Sequence, residues 1–438
     1  MSARVWALAL PAAGENLLAT AMYLVDTLMV ARLGSEVIAA AGAAGVILWR
    51  VFMMAGCVER GTTAMVARYT GEQDSARAGK ALGQSIVVSL FVGLAVMILG
   101  VTLARQSLQW MGSPPEVVAA GASYLAVIFA AAVPRLLFFV CAAGLRGAGD
   151  TRTPMWIMLW TNIVNVFLNW LLIYGHWGFP RLGLFGSGIA TALSSVASAG
   201  AVLWYLSLKT SPVHVRRRHL RPNGRLLRTI WRLSVPGFLD ETIVSVGFLV
   251  FIGYIARLGT VALASHTLTV RIESLSFMVG FGFTIACATL VGQSLGAGRV
   301  AEAQQAFRSA TNWCVACMSG IAVLLIVWGR GLLALFGPAP DVHDLAYALL
   351  IIAAVEQPLM GIGFALAGGL RGAGDTISPM IVSFVGNVIV RVFVVYWLAF
   401  GLGWGIYGVY AGTVVDWALR SVLFYAAFRQ GRWMAVKL

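Results

Sequence analysis

Apolar runs of about 20 residues follow one another along this chain, separated by short segments rich in glycine, arginine and proline. A run such as VSLFVGLAVMILGVTLA, Val88 to Ala104, has no alternation of apolar and polar positions, so it does not read as a barrel strand. Each run is long enough to carry a helix across ~30 Å of hydrocarbon. Twelve such helices are expected, near residues 6–31, 37–59, 82–104, 117–143, 154–174, 184–208, 234–256, 261–290, 309–328, 343–368, 379–400 and 404–428. The pattern predicts an all-α polytopic membrane protein. The first run holds Glu15 and Asp26 and has no small-residue cleavage site, so it reads as a retained span and not as a signal peptide.

The octapeptide GLRGAGDT at Gly144–Thr151 returns at Gly369–Thr376, 225 residues later. The same offset pairs Pro11 with Pro236, the ARLG of Ala31–Gly34 with that of Ala256–Gly259, and Asn162 with Asn387. The chain therefore reads as two six-helix bundles related by an internal pseudo-two-fold repeat: an amino-terminal lobe 1–208, a basic linker 209–232 and a carboxy-terminal lobe 233–438. Six is even, so the repeats run parallel, an arrangement that suits alternating access. Each octapeptide follows the fourth span of its half and is expected to form a hinge-like turn, with Arg146 paired to Asp150 and Arg371 to Asp375. A phosphate cradle is the alternative, but no strand precedes the motif and no Lys-Ser or Lys-Thr follows it.

Composition agrees with a bilayer: 60% of the 438 residues are hydrophobic and 11% are charged. The net charge of +14 invites a nucleic-acid reading until the basic residues are placed on the topology. Eight lie between Lys209 and Arg232 with no acid among them, which puts the central loop and both termini in the cytoplasm. Twelve more, from Arg4 to Lys437, fall on that side, against five (Arg32, Arg105, Arg181, Arg257 and Arg330) on the other. Topology accounts for the charge, so lipid is the expected neighbour and nucleic acid is not needed. The five cysteines sit in apolar context; CVAC at Cys314–Cys317 lacks a second ligand pair, and neither a disulfide nor a metal cluster is expected.

The doubled LRGAGDT, the opening PAAGENLLATAMYLVDTLMVARLG (Pro11–Gly34) and LVGQSLGAGR (Leu290–Arg299) resemble the multidrug and toxic compound extrusion family of bacterial transporters, its sodium-coupled branch in particular. The resemblance spans nearly the whole chain. It implies a secondary active antiporter in the inner (plasma) membrane. Such an antiporter exports amphipathic, often cationic organic compounds in exchange for Na⁺ or H⁺, as a monomer without a cofactor.

Membrane carboxylates need a partner or a task, because an Asp at a helix centre costs roughly 2.5–3.5 kcal/mol to insert. Asp26 stands in the first span, and its repeat counterpart is Phe251, so the scaffold does not require an acid there. Asn165 and Asn169 in the fifth span share a helix face, and their amide oxygens suit a hard cation, with Thr191 adding a hydroxyl. By the resemblance, Asp26, Asn165, Asn169 and Thr191 fall on the cation-coupling site of the amino-terminal half, where many members carry Asp in place of Asn169. Pairing of Asp26 with Arg32, or asparagines that only bridge helices, are the plainer readings.

In the second half Asp240, Glu241, Glu273 and Glu356 are candidates for a second ion or substrate site. Pro11 and Pro236 are candidate bends in the first and seventh spans. Asp416 and Arg420, four apart, suit a structural ion pair. A flippase for lipid-linked glycans is the alternative function, kept open by Arg50, Arg135 and Arg391 in apolar stretches. An intramembrane enzyme is not expected: no HExxH occurs, and His266 reads as a hydrogen-bonded packing residue.

Overall fold

A computed structural model describes residues 1–436. Lys437, counted above among the basic residues of one side, lies outside the described residues. The described residues form twelve long helical stretches. They are α1 Ser2–Ala31, α2 Ser35–Gly71, α3 Ser75–Trp110, α4 in two pieces (Pro115–Ala130 and Ala132–Ala148), α5 Arg152–Tyr174 and α6 Gly183–Ser207. Then follow α7 Gly224–Arg257, α8 Thr260–Gly296, α9 Val300–Ala334, α10 Pro340–Gly372, α11 Ile377–Gly401 and α12 Gly405–Gln430. All but α12 are long and apolar enough to cross a membrane, with the bent α4 taken as one span.

Two features depart from a plain apolar run. Helix α4 bends by 49° at Ala131. Pro134 has no N–H to offer the carbonyl of Ala130, and its ring crowds that carbonyl, so the ladder breaks there. In α11, Val385–Val394 and Trp397–Gly401 are wound as π-helix. A Cβ on Gly386 would collide with the Arg420 guanidinium and the Asp416 carboxylate, so the wide turn leaves room for a charged pair from α12.

The helices fall into two compact units, one of Gly14–Ser234 and the other of Met1–Ala13 with Val235–Leu438. The chain changes unit inside α1 and inside α7, beside Pro11 and Pro236. In the first unit Val30, Leu108, Leu125, Phe129 and Leu136 form the apolar centre. In the second, Val5, Leu8 and Ala9 of the amino-terminal segment pack with Phe283, Leu290, Phe307 and Leu370, and the wholly buried Trp433 closes the same cluster.

The octapeptide can now be read letter by letter. Gly144 and its counterpart Gly369 lie against Leu82 and Phe307, which are themselves 225 apart, and a Cβ at either glycine would strike those side chains. Gly147 and Gly372 lie on the backbone at Thr63 and Ala288, another repeat-related pair. Gly149 and Gly374 end their helices at φ 95° and 92°, a left-handed cap that favours glycine. Asp150 and Asp375 then accept from the backbone N–H of Thr153 and Ser378, each at 3.0 Å, and start the next helix. Helix-to-helix proximity, not a ligand, accounts for the glycines.

The basic loop is latched to α3. Gly79 and Gly83 expose bare backbone, on which the loop lies so closely that a Cβ would come 2.5 Å from the His214 carbonyl oxygen and 2.6 Å from that of His219. Between them and the loop, Gln84 Nε2 donates to the carbonyls of His219 and Arg221 at 2.7 and 2.8 Å, and Gln84 Oε1 accepts from the N–H of Asn223 at 2.8 Å. His219 Nδ1 accepts from the N–H of Arg216 at 3.3 Å. Burial, with the charges of Arg218, Arg216 and Lys80 and nearby His214, lowers the His219 pKa from its ordinary 6.5.

Two outcomes follow from the latch. Gln84→Leu removes three hydrogen bonds to one loop, and tryptic cleavage at Arg216–Arg218 of the purified protein should accelerate at least about tenfold; unchanged cleavage would show that Gln84 holds nothing. For His219 the folded state favours the neutral ring. Its contribution is therefore complete above pH 6.5 and declines as the pH falls through that value. Hydrogen exchange in residues 209–223, corrected for intrinsic rate, should rise between pH 7.5 and 5.5 in the wild type and stay flat in His219→Gln.

Candidate functional site

In the first unit, helix positions bring four polar side chains into one closed ring. Asn165 and Asn169 lie one turn apart on α5, and Asn162, another turn away, donates to the Leu18 carbonyl at 2.7 Å, fixing that face of α5 against α1. Gly186 and Gly188 let α6 approach the backbone of Leu172 and Tyr124, which brings Thr191 inward. Asn169 Nδ2 donates to Asp26 Oδ1 and to Asn165 Oδ1, the latter at 3.1 Å. Asn165 Nδ2 reaches Thr191 Oγ1 at 3.4 Å, and that hydroxyl donates to Asp26 Oδ2 at 3.5 Å. All four residues are buried. No ion pair joins Asp26 to Arg32 among the described residues.

The ring is rich in oxygen. Asn169 Oδ1 is enclosed with no donor, while the Asp26 carboxylate, Asn165 Oδ1 and Thr191 Oγ1 are linked through the ring of hydrogen bonds. An enclosed amide oxygen without a partner costs about 1–3 kcal/mol, a deficit that a bound cation would remove. These donors fit Na⁺, which prefers hard oxygen ligands; the single carboxylate fits a proton equally well.

The second unit does not copy this ring. Its polar centre draws on α8, α10, α11 and α12, where Glu273 lies against Glu356, and Glu273 Oε1 accepts from Gln357 Nε2 at 3.1 Å. Gln357 Oε1 is a second enclosed amide oxygen without a donor. Thr413 reaches Glu356, and allowing for a loop three residues shorter it stands where Thr191 stands in the first half. His266 Nδ1 is 2.8 Å from the Tyr410 hydroxyl, with Phe251 edge-on to the imidazole. Where the first unit has Asp26, the second thus has a ring that packs on histidine and lies 5.3 Å from the Arg391 guanidinium. Two adjoining carboxyl groups in a dry centre can hold one proton or one cation between them.

Of the four candidates in this half, Glu273 and Glu356 come together. Asp240 does not join them, because Arg371 Nη2 holds its Oδ2 at 2.8 Å; Glu241 is partly buried on α7. Gln357, Tyr410 and Thr413 were not singled out in the sequence. The signal available was a polar residue inside an apolar run, next to Glu356 in the first case. Asp416 pairs with Arg420 as its spacing suggests, and also accepts from Arg391 Nε at 2.9 Å.

One expectation fails. Arg146 does not pair with Asp150, nor Arg371 with Asp375. Helix α4 continues through Arg146, which turns the guanidinium back among the helices, where Nη1 meets Glu15 at 2.6 Å and Nη2 meets Glu59 at 3.1 Å. Arg371 likewise takes Asp240, and Glu15 and Asp240 are themselves repeat-related. The aspartates serve the start of the following helices instead: one oxygen of each takes a backbone N–H, and the other takes the hydroxyl of Tyr205 or Ser378.

The profile of the MatE family matches residues 11–171 and 236–397, starting in each half at the repeat-related prolines. Among curated proteins, the chain is 28% identical to the probable multidrug resistance protein NorM of Thermotoga maritima, over 97% of this chain and 92% of that one. It is 26% identical to the probable multidrug resistance protein YoeA of Bacillus subtilis, over 95% and 90%. Among solved structures it is similar to a MATE protein in the bent conformation, with TM-score 0.92 and 22% identity over 99% of this chain and 95% of that one. It is also similar to an outward-facing multidrug resistance MATE transporter, with TM-score 0.91 and 21% identity over 99% and 97%.

Removing one partner of a buried ion pair strands the other, at about 3–5 kcal/mol. Arg146→Ala leaves Glu15 and Glu59 facing each other and should lower the unfolding temperature markedly, as should Arg371→Ala. Reaction of a thiol dye with the buried Cys141 and Cys287 on heating reports it; unaltered melting would show that these pairs contribute nothing.

Proposed function

The chain belongs to the MatE family, and from that premise we propose that it is a secondary active exporter. On this reading it moves amphipathic organic cations out of the cell by alternating access, driven by Na⁺ or H⁺ binding at Asp26. It is a multi-pass membrane protein, and the plasma membrane of a bacterium is the setting its NorM relatives imply. The observation that supports the coupling site is the closed ring of Asp26, Asn165, Asn169 and Thr191, in which the enclosed Asn169 Oδ1 has no partner. An inward carboxylate without an arginine against it has no structural need for its charge, so its occupancy is free to change with a transport cycle.

In this reading α5 and α6 carry the neutral ligands and α1 carries the charge. Helix α1 changes unit beside Pro11, whose missing N–H leaves a carbonyl one turn earlier without its helical partner. Ion capture at Asp26 and a bend at Pro11 then act on one helix, and Pro236 gives α7 the same weakness. Glu273 with Glu356 supplies a second ion or substrate site in the other unit, supported by their contact and by the open Gln357 oxygen. The basic linker and both chain ends would face the cytoplasm.

The test is export of a fluorescent organic cation by cells or everted vesicles, wild type beside Asp26→Asn, with sodium and pH gradients imposed separately. Gradient-driven export should fall to background in Asp26→Asn at normal expression, and the gradient that drives the wild type names the ion. A variant that exports as well as wild type would remove Asp26 from the mechanism and turn attention to Glu273 and Glu356.

A further inference from the structure

The latch on α3 explains how the basic loop is held, and not what its arginines face. Residues 209–232 hold eight lysines and arginines and no acid. Arg216, Arg217, Arg218, Arg221, Arg225 and Arg228 are all exposed, and none has a carboxylate within ion-pair distance among the described residues. The acids just before α3, Glu72 and Asp74, are engaged by Arg77. The loop, α3 and the start of α7 all belong to the unit Gly14–Ser234.

A basic segment that serves only to orient a chain in the bilayer needs no fixed conformation. This one is fixed on both sides of its arginines. Ser211 Oγ donates to the Val213 carbonyl at 2.8 Å, and the N–H of Val215 donates to the Leu206 carbonyl at 3.3 Å. Arg217–Leu220 winds as a 3₁₀ turn, and Gln84 holds the carbonyls of His219 and Arg221. Val213 and His219 are buried, while Arg216, Arg217 and Arg218 between them stand exposed. Beyond the turn Arg225, Arg228 and Arg232 are spaced three and four apart and so share one face of α7. Guanidinium groups on a backbone already held in place lose less freedom on meeting phosphate oxygens than those of a loose tail, and each can engage two oxygens at once.

Two tryptophans decide which phosphates are in reach. Trp204 stands in the last turn of α6 and Trp231 in the second turn of α7, 68% and 56% exposed, on the spans that enter and leave the loop. Tryptophan at the end of a span sits at headgroup level, so the arginines between these two lie at the depth of lipid phosphates. Leu220, exposed at the end of the turn, adds an apolar contact that lipid accepts. Net charge then selects among lipids. A choline or ethanolamine lipid carries its own cation beside the phosphate, which the arginines repel, and phosphatidylglycerol carries none. Each basic side chain near an acidic surface contributes about fivefold, so a few of them give tenfold or more after screening.

We propose that the latched loop and the first turns of α7 form a binding site for acidic phospholipid headgroups, in which Gln84 and the bare backbone of Gly79 and Gly83 hold the arginines in a fixed array. Transport plays no part in this site, and the exporter reading stands or falls separately.

The experiment counts lipids retained by the purified full chain in detergent, by native mass spectrometry, with phosphatidylglycerol and phosphatidylcholine of identical acyl chains supplied in equal amounts. Wild type should retain phosphatidylglycerol at least about tenfold over phosphatidylcholine. The triple variant Arg216→Gln, Arg217→Gln, Arg218→Gln alters exposed side chains only, and should keep less than about a third of that preference. Gln84→Leu cuts the latch, and Gly83→Ala pushes the loop off α3 with a Cβ 2.6 Å from the His219 carbonyl oxygen. Neither changes a charge, yet each should lower the preference roughly threefold, because the arginines no longer stand together. Equal retention of the two lipids by wild type would overturn the proposal, as would a triple variant with the wild-type preference. A preference untouched by both Gln84→Leu and Gly83→Ala leaves only the diffuse attraction of any basic loop, and overturns it too. Inorganic phosphate added at constant ionic strength should leave the lipid in place; displacement of the lipid by it would assign the patch to a soluble anion instead.

Discussion

A charge inside hydrocarbon must be answered by another charge, by fixed dipoles or by a ligand, and much of this molecule follows from that requirement. Arg146 gathers Glu15 and Glu59 from two other helices, so three segments of the first unit are tied at one point. Arg371 and Asp240 do the same between α10 and α7. Asp416 needs two arginines, and α11 is wound as π-helix beside it so that Gly386 can make room. Such pairs are weak sources of stability compared with apolar packing, but breaking one is costly, so they fix which helices neighbour which. Asp26 lies outside this scheme: amides and a hydroxyl surround it, and its countercharge is left to be supplied.

The repeat duplicates scaffold more faithfully than chemistry. Positions 225 apart share glycines against equivalent partners, left-handed caps, N-cap aspartates and an interhelical ion pair. The polar centres differ. One is a single acid on α1 ringed by neutral groups of α5 and α6; the other is a pair of acids on α8 and α10. Only the threonine of the sixth helix in each half, Thr191 and Thr413, keeps its place beside an acid. Packing between helices leaves little room for change, while a polar centre enclosed by them can be rebuilt one residue at a time.

The spans, the repeat and the shared face of Asn165 and Asn169 were legible in the sequence, because hydrophobic length, self-similarity and four-residue spacing are local signals; that Asp26 joins them came only from the family resemblance. Partners distant in sequence were not. Arg146 has Asp150 four residues away and Glu15 at the far end of the half, and spacing alone favours the nearer acid; only the direction in which α4 carries the guanidinium decides otherwise. The bend at Ala131 had a legible cause in Pro134, whereas the π-wound stretch depends on side chains of another helix and could not be read from α11 alone. Tyr410 looks like an ordinary member of an apolar run, and Gln357 like a lone polar residue beside Glu356, until the fold brings His266 and Glu273 against them.

The amino-terminal segment carries a consequence for biosynthesis. Val5, Leu8 and Ala9 are translated long before the surface that buries them, which is built from α8, α9 and α10. They must wait, shielded by lipid or by an insertase, until most of the chain has been translated. The unit Gly14–Ser234 is fully translated by then, but the segment of residues 1–13 stays without its partners while the second unit is still being made. Quality control that samples that exposed segment would therefore read directly whether α8, α9 and α10 have arrived.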